Sequence, residues 1–309
     1  MRILVLGAGG IGGYFGGRLA EVGADVTFLV RPGRASQLAR DGLVVRSPLG
    51  DIDRAVRFIT AEGLAEDERH DVVLLTCKAY DLDAAIDAIA PAVRQGAAVL
   101  PMLNGMKHLD RLDQAFGRDA VLGGMCQIAA TLTGTGEVHH LNKLHHMVAG
   151  PRAPGQDRVT KAFAATAEPA VFDFRLSDDV AQDMWEKFVM LATMAGMTCL
   201  MRGSVGEIMQ ADDGQALMLE MLEECIRVAD AAGHRPRPTF LDRARAILTE
   251  RGSSFAASML RDVERGGPTE AAHVIGDMLV RARTAELPAP MLCVAWCHLQ
   301  THEARRPRG

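Results

Sequence analysis

The chain has no excess of basic charge. Its 34 Lys and Arg are outnumbered by 39 Asp and Glu, for a formal net charge of -5. That is no electrostatic footprint for nucleic acid or for an anionic membrane surface. Long apolar runs are also missing. The longest uncharged stretches, residues 3–17 and 188–201, fall short of the ~20 residues that a spanning helix needs. The first of them is too glycine-rich for a signal peptide core, and no small-residue cleavage site follows it. The six cysteines, Cys77, Cys126, Cys199, Cys225, Cys293 and Cys297, include no CxxC pair. They are expected to be buried free thiols of a cytoplasmic protein, with Cys293 and Cys297 on one helix face. Aromatic residues are sparse, at 5%. Internal repeats and low-complexity linkers are absent as well.

What the chain does have is length and glycine. Its 309 residues suffice for about two domains at ~150 residues each. The 48% hydrophobic and 24% charged composition is that of a soluble globular protein that needs no disulfide or metal to fold. Seven of the 31 glycines fall within residues 7–17. Clustered glycine usually means backbone close to something.

Ile3-Leu4-Val5-Leu6 is a short apolar run stopped by glycine, which suits a strand buried on both faces. A helix is expected over 10–22, a strand over 24–30, and a helix over 34–42. Strand-like segments follow near 43–46 and 52–59, then a buried strand at 71–77, a helix over 81–93 and a strand over 97–103. This alternation means an α/β domain with a mostly parallel sheet. The texture changes near residue 175. From Ser177 onward helical patterns dominate, at 178–201, 206–232, 238–251, 254–265, 269–285 and 289–304. Ser177 and Asp178 are the expected N-cap residues of the first. The fold class is therefore α/β, a Rossmann-type doubly wound sheet over 1–175 followed by an all-helical domain over 176–309. The C-terminal Arg305-Arg306-Pro307-Arg308 is expected to be a solvated, frayed end.

Gly7-Ala8-Gly9-Gly10-Ile11-Gly12 is a G-x-G-x-x-G sequence between the first strand and the first helix. The first glycine permits the turn, the second lets backbone approach a pyrophosphate, and the third permits close helix–strand packing. Gly7, Gly9, Gly10, Ile11 and Gly12 are the candidate dinucleotide loop, with phosphate facing the helix N-terminus. The second strand ends Leu29-Val30-Arg31-Pro32-Gly33-Arg34, and its nearest acidic residues are Asp25 and Asp41. A carboxylate there would repel a 2′-phosphate, whereas an arginine pairs with it. The expected cofactor is NADP(H), held by Arg31, with Arg34 second.

Five separated motifs carry a resemblance. They are Thr76-Cys77-Lys78-Ala79-Tyr80, Leu103-Asn104-Gly105-Met106, Trp185-Glu186-Lys187-Phe188, Ser258-Met259-Leu260-Arg261-Asp262-Val263 and Pro268-Thr269-Glu270. Together, in this order and spacing, they resemble the ketopantoate reductase (2-dehydropantoate 2-reductase) family, over residue 1 to about 290. The resemblance implies NADPH-dependent reduction of a 2-oxo acid bound between a nucleotide domain and a helical domain. It implies Lys187 as the catalytic lysine, Glu270 as the active-site glutamate, Asn104 beside nicotinamide and substrate, Ser258 on the substrate, and Lys78 on the cofactor side. An ammonium beside the carbonyl oxygen would stabilise the charge that hydride arrival leaves there and could donate the proton.

The departures bear on substrate. Where the family usually has asparagine, this chain has Leu191, Ala195, Val205, Phe255 and Ile275. A pocket without those donors would not reward the hydroxyls of ketopantoate. Another 2-oxo acid with a bulkier apolar side chain is expected. True 2-dehydropantoate reduction in pantothenate biosynthesis, another Rossmann-plus-helical dehydrogenase acting on a 3-hydroxy acid or opine, and a non-catalytic NADPH-binding sensor stay open. So does oligomeric state, since related proteins occur as monomers and dimers.

The remaining features read as structural. Trp185 and Phe188 are expected in the core. His139-His140 and His145-His146 are expected at a surface or sheet edge, because adjacent residues of a strand face opposite ways and four ligands would not converge on a metal. No metal is expected. His273, three residues after Glu270, shares its helix face. The 16 methionines, concentrated in the helical half, read as flexible core filler.

Overall fold

The computed structural model describes residues 1–64 and 69–306. The chain divides into two compact units, Met1–Leu103 with His108–Val180, and Asn104–Lys107 with the chain from Ala181 on.

The first unit contains β1 (Arg2–Leu6), α1 (Gly10–Glu21), β2 (Asp25–Leu29), α2 (Pro32–Asp41), β3 (Leu43–Arg46), β4 (Ile52–Arg54), β5 (Arg57–Ile59), β6 (Val72–Leu75), α3 (Leu82–Arg94), β7 (Ala98–Pro101), α4 (Lys107–Phe116), β8 (Gly123–Leu132), β9 (Val138–Gly150), α5 (Asp157–Ala167) and β10 (Asp173–Leu176). Five strands form a parallel sheet in the order β5-β2-β1-β6-β7. After β2 and β5 have added on one side of β1, the chain continues with β6 on the other. The carboxyl ends of β1 and β6 therefore flank the point where strand order reverses, which is where open α/β sheets take ligands. β1 and β6 are apolar at nearly every position because both faces are covered. Ile3, Val5, Tyr14, Phe15, Phe28, Val72 and Leu74 are fully buried in one core, each contributing about 1.5–3 kcal/mol of burial.

A second sheet, in the order β10-β9-β3-β4 with β8 paired to β9, was not expected from sequence. The 52–59 segment is two strands, β4 in this sheet and β5 in the first. β9 carries the histidine pairs and is the most heavily paired strand, flanked by β8, β3 and β10. The edge placement is corrected here for all four, and the surface placement for His140 and His145 only, since the His139 and His146 side chains remain 39% and 43% exposed. His140 is 4% exposed, and its two ring nitrogens lie 2.9 Å from Ser47 Oγ and from the Leu144 carbonyl oxygen. His145 lies 2.9 Å from the Tyr14 hydroxyl. Pairing with β8 jumps from His145 opposite Ile128 to His140 opposite Ala130. Residues 141–144 therefore bulge out, which lets two histidines of odd separation stack on one face, with ring centroids 6.0 Å apart.

The second unit holds α6 (Val180–Met201, its first residue grouped with the other unit), α7 (Val205–Ile208), α8 (Gly214–Ala231), α9 (Pro238–Leu248), α10 (Ser258–Glu264), α11 (Ala271–Thr284) and α12 (Pro290–Arg305). Among its described residues there is no strand. The residue before α6 is Asp179, not Ser177 or Asp178; the Ser177 hydroxyl instead accepts from the Asp179 amide at 3.2 Å. The single helix expected over 206–232 is two. Ser204 and Glu207 form a capping box on α7, and α8 restarts at Gly214. Met197, Met218, Met221 and Met278 are fully buried, as core filler should be. Cys293 and Cys297 are exposed on α12, which corrects the expectation of six buried thiols. No described helix is long and apolar enough to cross a membrane. Arg305 ends α12 and Arg306 follows it, while Pro307 and Arg308 of the expected frayed end lie outside the described residues.

Candidate active site

The glycine loop joins β1 to α1 with the geometry its sequence requires. Gly7 has φ of +91°, a conformation that side chains rarely adopt. A Cβ on Gly12 would stand 2.1 Å from the Gly7 carbonyl oxygen and 2.4 Å from Thr76 Oγ1. Only hydrogen fits there. A Cβ on Gly9 would meet nothing within 4 Å, so the middle of the loop offers open backbone. Thr76, at the end of β6, donates 2.7 Å to the Leu6 carbonyl oxygen and ties the two strand ends together. The first turn of α1 holds no acidic side chain, and first-turn amides have no intrahelical acceptor. These residues fit a dinucleotide pyrophosphate.

Beyond β2, the two arginines part ways. Arg31 is the N-cap residue of α2, with its side chain 76% exposed and paired to Asp81 at 2.8 Å. Arg34 is half-buried and committed to the protein. Its Nε donates to the Ala8 carbonyl oxygen at 3.0 Å and its Nη1 to the Gly136 carbonyl oxygen at 2.7 Å, so it braces the loop from behind. Lys78 is exposed after β6, just before a single 3-10 turn at Ala79–Asp81. Sequence reasoning missed Thr76 and Asp81. Thr76 opens one of the five motifs but was given no role there, and Asp81 sits in none; each matters through a partner 70 or 50 residues away.

Within the helical unit, three segments converge. On α6, the Lys187 ammonium donates 3.1 Å to Asn104 Oδ1. Asn104 is followed by Gly105, whose φ is +80° and whose Cβ would stand 2.4 Å from the His273 carbonyl oxygen and 3.7 Å from the Phe188 ring. The Asn-Gly turn is thus pressed between α6 and the first turn of α11. Glu270 is the N-cap residue of α11, and its carbonyl oxygen accepts from the His273 and Val274 amides at 2.9 and 3.1 Å. Lys187, Asn104 and the helix start bearing Glu270 therefore share one neighbourhood. Lys187 and Asn104 are half-buried, while Trp185 and Phe188 are core.

Ser258 lies elsewhere along α6. It is exposed at the first position of α10, and the preceding Ala257 amide donates to Thr198 Oγ1 at 3.4 Å. Thr198 is on the Lys187 face but about three turns on, a rise of ~16 Å. The five positions where asparagine is usual also divide. Ala195, Val205 and Ile275 are buried at 1%, 0% and 0% exposure; Phe255 is 40% exposed and Leu191 is intermediate. Only the last two can meet a ligand from solvent.

Glu186, the neighbour of Lys187, faces away. Burial pushes its carboxyl up, but hydrogen bonds from the Arg237 guanidinium and amide outweigh this and hold it below the ordinary range. Arg237 also donates to buried Asp183 at 2.5 Å. This network fixes α6 to the start of α9.

Comparison with known proteins agrees with the fold. The family model described as Ketopantoate reductase PanE/ApbA matches residues 3–154, and the one for its C terminal matches residues 179–303. The oxidoreductase YkpB of Bacillus subtilis, whose activity is uncharacterized, is 34% identical over 99% of this chain and 100% of its own. The crystal structure of 2-dehydropantoate 2-reductase from Geobacter metallireducens is 28% identical, with a TM-score of 0.87, over 97% of this chain and 99% of that one. D-mandelate dehydrogenase, solved with NADH and anilino(oxo)acetate, shares the fold at a TM-score of 0.87 and 18% identity, over 98% of both chains. With the two family models covering both the glycine loop and the lysine-bearing helices, the chain belongs to the ketopantoate reductase family of oxidoreductases.

Proposed function

We propose that this protein is an NADPH-dependent reductase of a 2-oxo acid, forming the 2-hydroxy acid. Residues 1–175 would hold the cofactor and residues 176–309 the substrate. The Lys187–Asn104 hydrogen bond beside the start of α11 carries the reading. Gly7, Gly9, Gly10, Ile11 and Gly12 would take the pyrophosphate, with Arg31 and Lys78 on the remaining phosphate and the nicotinamide side. The cofactor, when bound, supplies the hydride. Lys187 sets its ammonium beside the ketone oxygen, stabilises the alkoxide as it forms, and passes it a proton, which solvent then restores. Asn104 accepts from the ammonium and so aims it. Glu270 orients the lysine and the product hydroxyl, and Ser258 contacts the distal end of the substrate.

Cofactor choice rests on Arg31 and on the lack of an acidic residue at the end of β2 in the sequence. A neighbour of the same fold is solved with NADH. Substrate choice rests on Leu191 and Phe255, the two accessible apolar positions. They support a 2-oxo acid with a bulky apolar side chain. The curated relatives named 2-dehydropantoate 2-reductase, such as that of Pyrococcus abyssi at 26% identity, favour ketopantoate as the second reading and, with it, pantothenate biosynthesis in the cytoplasm. NADPH oxidation against a panel of branched, aromatic and hydroxylated 2-oxo acids decides between them. Lys187→Ala should lower kcat by about 10²–10⁴-fold with NADPH affinity unchanged. Undiminished turnover in that variant would refute the mechanism. Tight NADPH binding without turnover on any acid would make the protein a sensor.

A further inference from the structure

Asp81 sits where a helix N-cap belongs. It immediately precedes α3, and aspartate is among the best capping residues because its carboxylate accepts from the next turn's amides. Yet Asp81 makes no side-chain capping bond. Its Oδ1 instead accepts from Arg31 Nη2 at 2.8 Å, 50 residues away. A local bond has been given up for a distant one.

The path of that distant bond matters. Arg31 leaves the carboxyl end of β2, and Asp81 follows the carboxyl end of β6. These strands are the two neighbours of β1 in the sheet. The ion pair therefore spans from one side of β1 to the other, on the side where the glycine loop emerges. Arg31 is 76% exposed and Asp81 35% exposed, so a ligand in the crevice can reach both. Asp81 is the carboxylate that acts on the Arg31 charge, through hydrogen bond and Coulomb attraction.

We propose that Asp81 is a specificity-determining residue for the cofactor. It occupies the Arg31 guanidinium in the free protein and competes with a 2′-phosphate for it. The inference rests on the assignment of Arg31 to the 2′-phosphate. A phosphate dianion must displace or share Asp81, and a carboxylate left beside it repels it. NADH meets no such competition. Asp81 thus narrows the preference for NADPH over NADH that Arg31 alone would give, and keeps the pocket permissive toward both.

The test measures dissociation constants of NADPH, NADH and 2′,5′-ADP by titration calorimetry for the wild type, Asp81→Asn, Asp81→Ala, Arg31→Ala and Arg31→Ala with Asp81→Asn. Asp81→Asn keeps the size and capping ability of the side chain and removes its charge. It should tighten NADPH and 2′,5′-ADP roughly twofold to fivefold, as expected for release of an exposed ion pair, and leave NADH unmoved. Asp81→Ala should do the same. Raised salt should shrink the gain. In the Arg31→Ala background the substitution should leave the NADPH to NADH ratio unchanged. An unchanged ratio in both Asp81 variants, or equal gains for the two cofactors, overturns the proposal. The wild-type ratio tests the cofactor assignment separately. A wild type that favours NADH, with variants that shift toward NADPH, would sink that assignment and leave the role of Asp81 standing.

Discussion

The Asn-Gly turn offers the sharpest perturbation of the lysine site. Gly105→Ala adds one methyl group to a residue that touches neither cofactor nor substrate in the proposed mechanism. Two costs follow. An alanine at φ of +80° is strained by about 1–2 kcal/mol. Its Cβ would also stand 2.4 Å from the His273 carbonyl oxygen, so the turn must retreat by about 1 Å to reach ordinary van der Waals separation. Asn104 moves with it, and its 3.1 Å bond to Lys187 would stretch past the hydrogen-bonding limit of roughly 3.5 Å. Misplacement on that scale costs on the order of 10²-fold in rate. Gly117→Ala is the matched control. It has the same φ of +80°, but nothing lies within 4 Å of its added methyl. Gly117→Ala should lose only the few degrees of Tm that strain costs and Gly105→Ala more, because of its clash, while only Gly105→Ala should lose about 100-fold in kcat, with NADPH binding intact. A Gly105→Ala enzyme within threefold of wild-type kcat would refute the positioning role assigned to the turn.

Three further outcomes follow from the helical unit. Arg237→Met leaves the carboxylates of Asp183 and Glu186, 4% and 8% exposed, without the arginine between them. Loss of about 3 kcal/mol is expected, at the low end for a broken buried pair because Arg237 is half exposed, and differential scanning calorimetry should show Tm lower by roughly 6–12 °C. The carboxyl of Glu186 is held below its ordinary pKa, so its contribution is present above about 4.5 and fades as pH falls through the depressed value. The gap between wild type and Arg237→Met should accordingly narrow in acid; a gap that widens would contradict the assignment. Ellman's reagent should modify Cys293 and Cys297 rapidly in the native protein, whereas Cys199 and Cys225, whose thiols burial pushes up to about 12, should react only on unfolding.

The parallel sheet was legible because β1 and β6 are short, almost wholly apolar runs, because β2 is rich in β-branched and aromatic residues, and because the segments between them read as helices. The second sheet was not. β9 reads Val-His-His-Leu-Asn-Lys-Leu-His-His-Met, and the bulge at 141–144 breaks the period-2 signal that would have marked it. Polar residues whose hydrogen bonds are met by Ser47 and Tyr14 look, in sequence, like surface. The loss of substrate asparagines was legible, but its meaning was not. Sequence spacing cannot say that Ala195, Val205 and Ile275 are core while Leu191 and Phe255 are accessible. Arg31 and Arg34 were indistinguishable until packing committed one to the loop and left the other at the crevice.

One consequence concerns dissection of the protein. Asn104–Lys107 belong to the helical unit although 73 residues of the other unit, His108–Val180, follow them in the chain. Neither unit is therefore a contiguous stretch of sequence. A fragment begun after residue 180 would carry Lys187 but not Asn104, which accepts its hydrogen bond, and the Gly105 turn would be missing from between α6 and α11. Complementation in trans by the residue 1–180 fragment would have to restore a four-residue insert, not merely join two surfaces. The helix bearing Lys187 and the residue that accepts its hydrogen bond are thus inherited together only by an uncut chain, even though each unit has a core of its own.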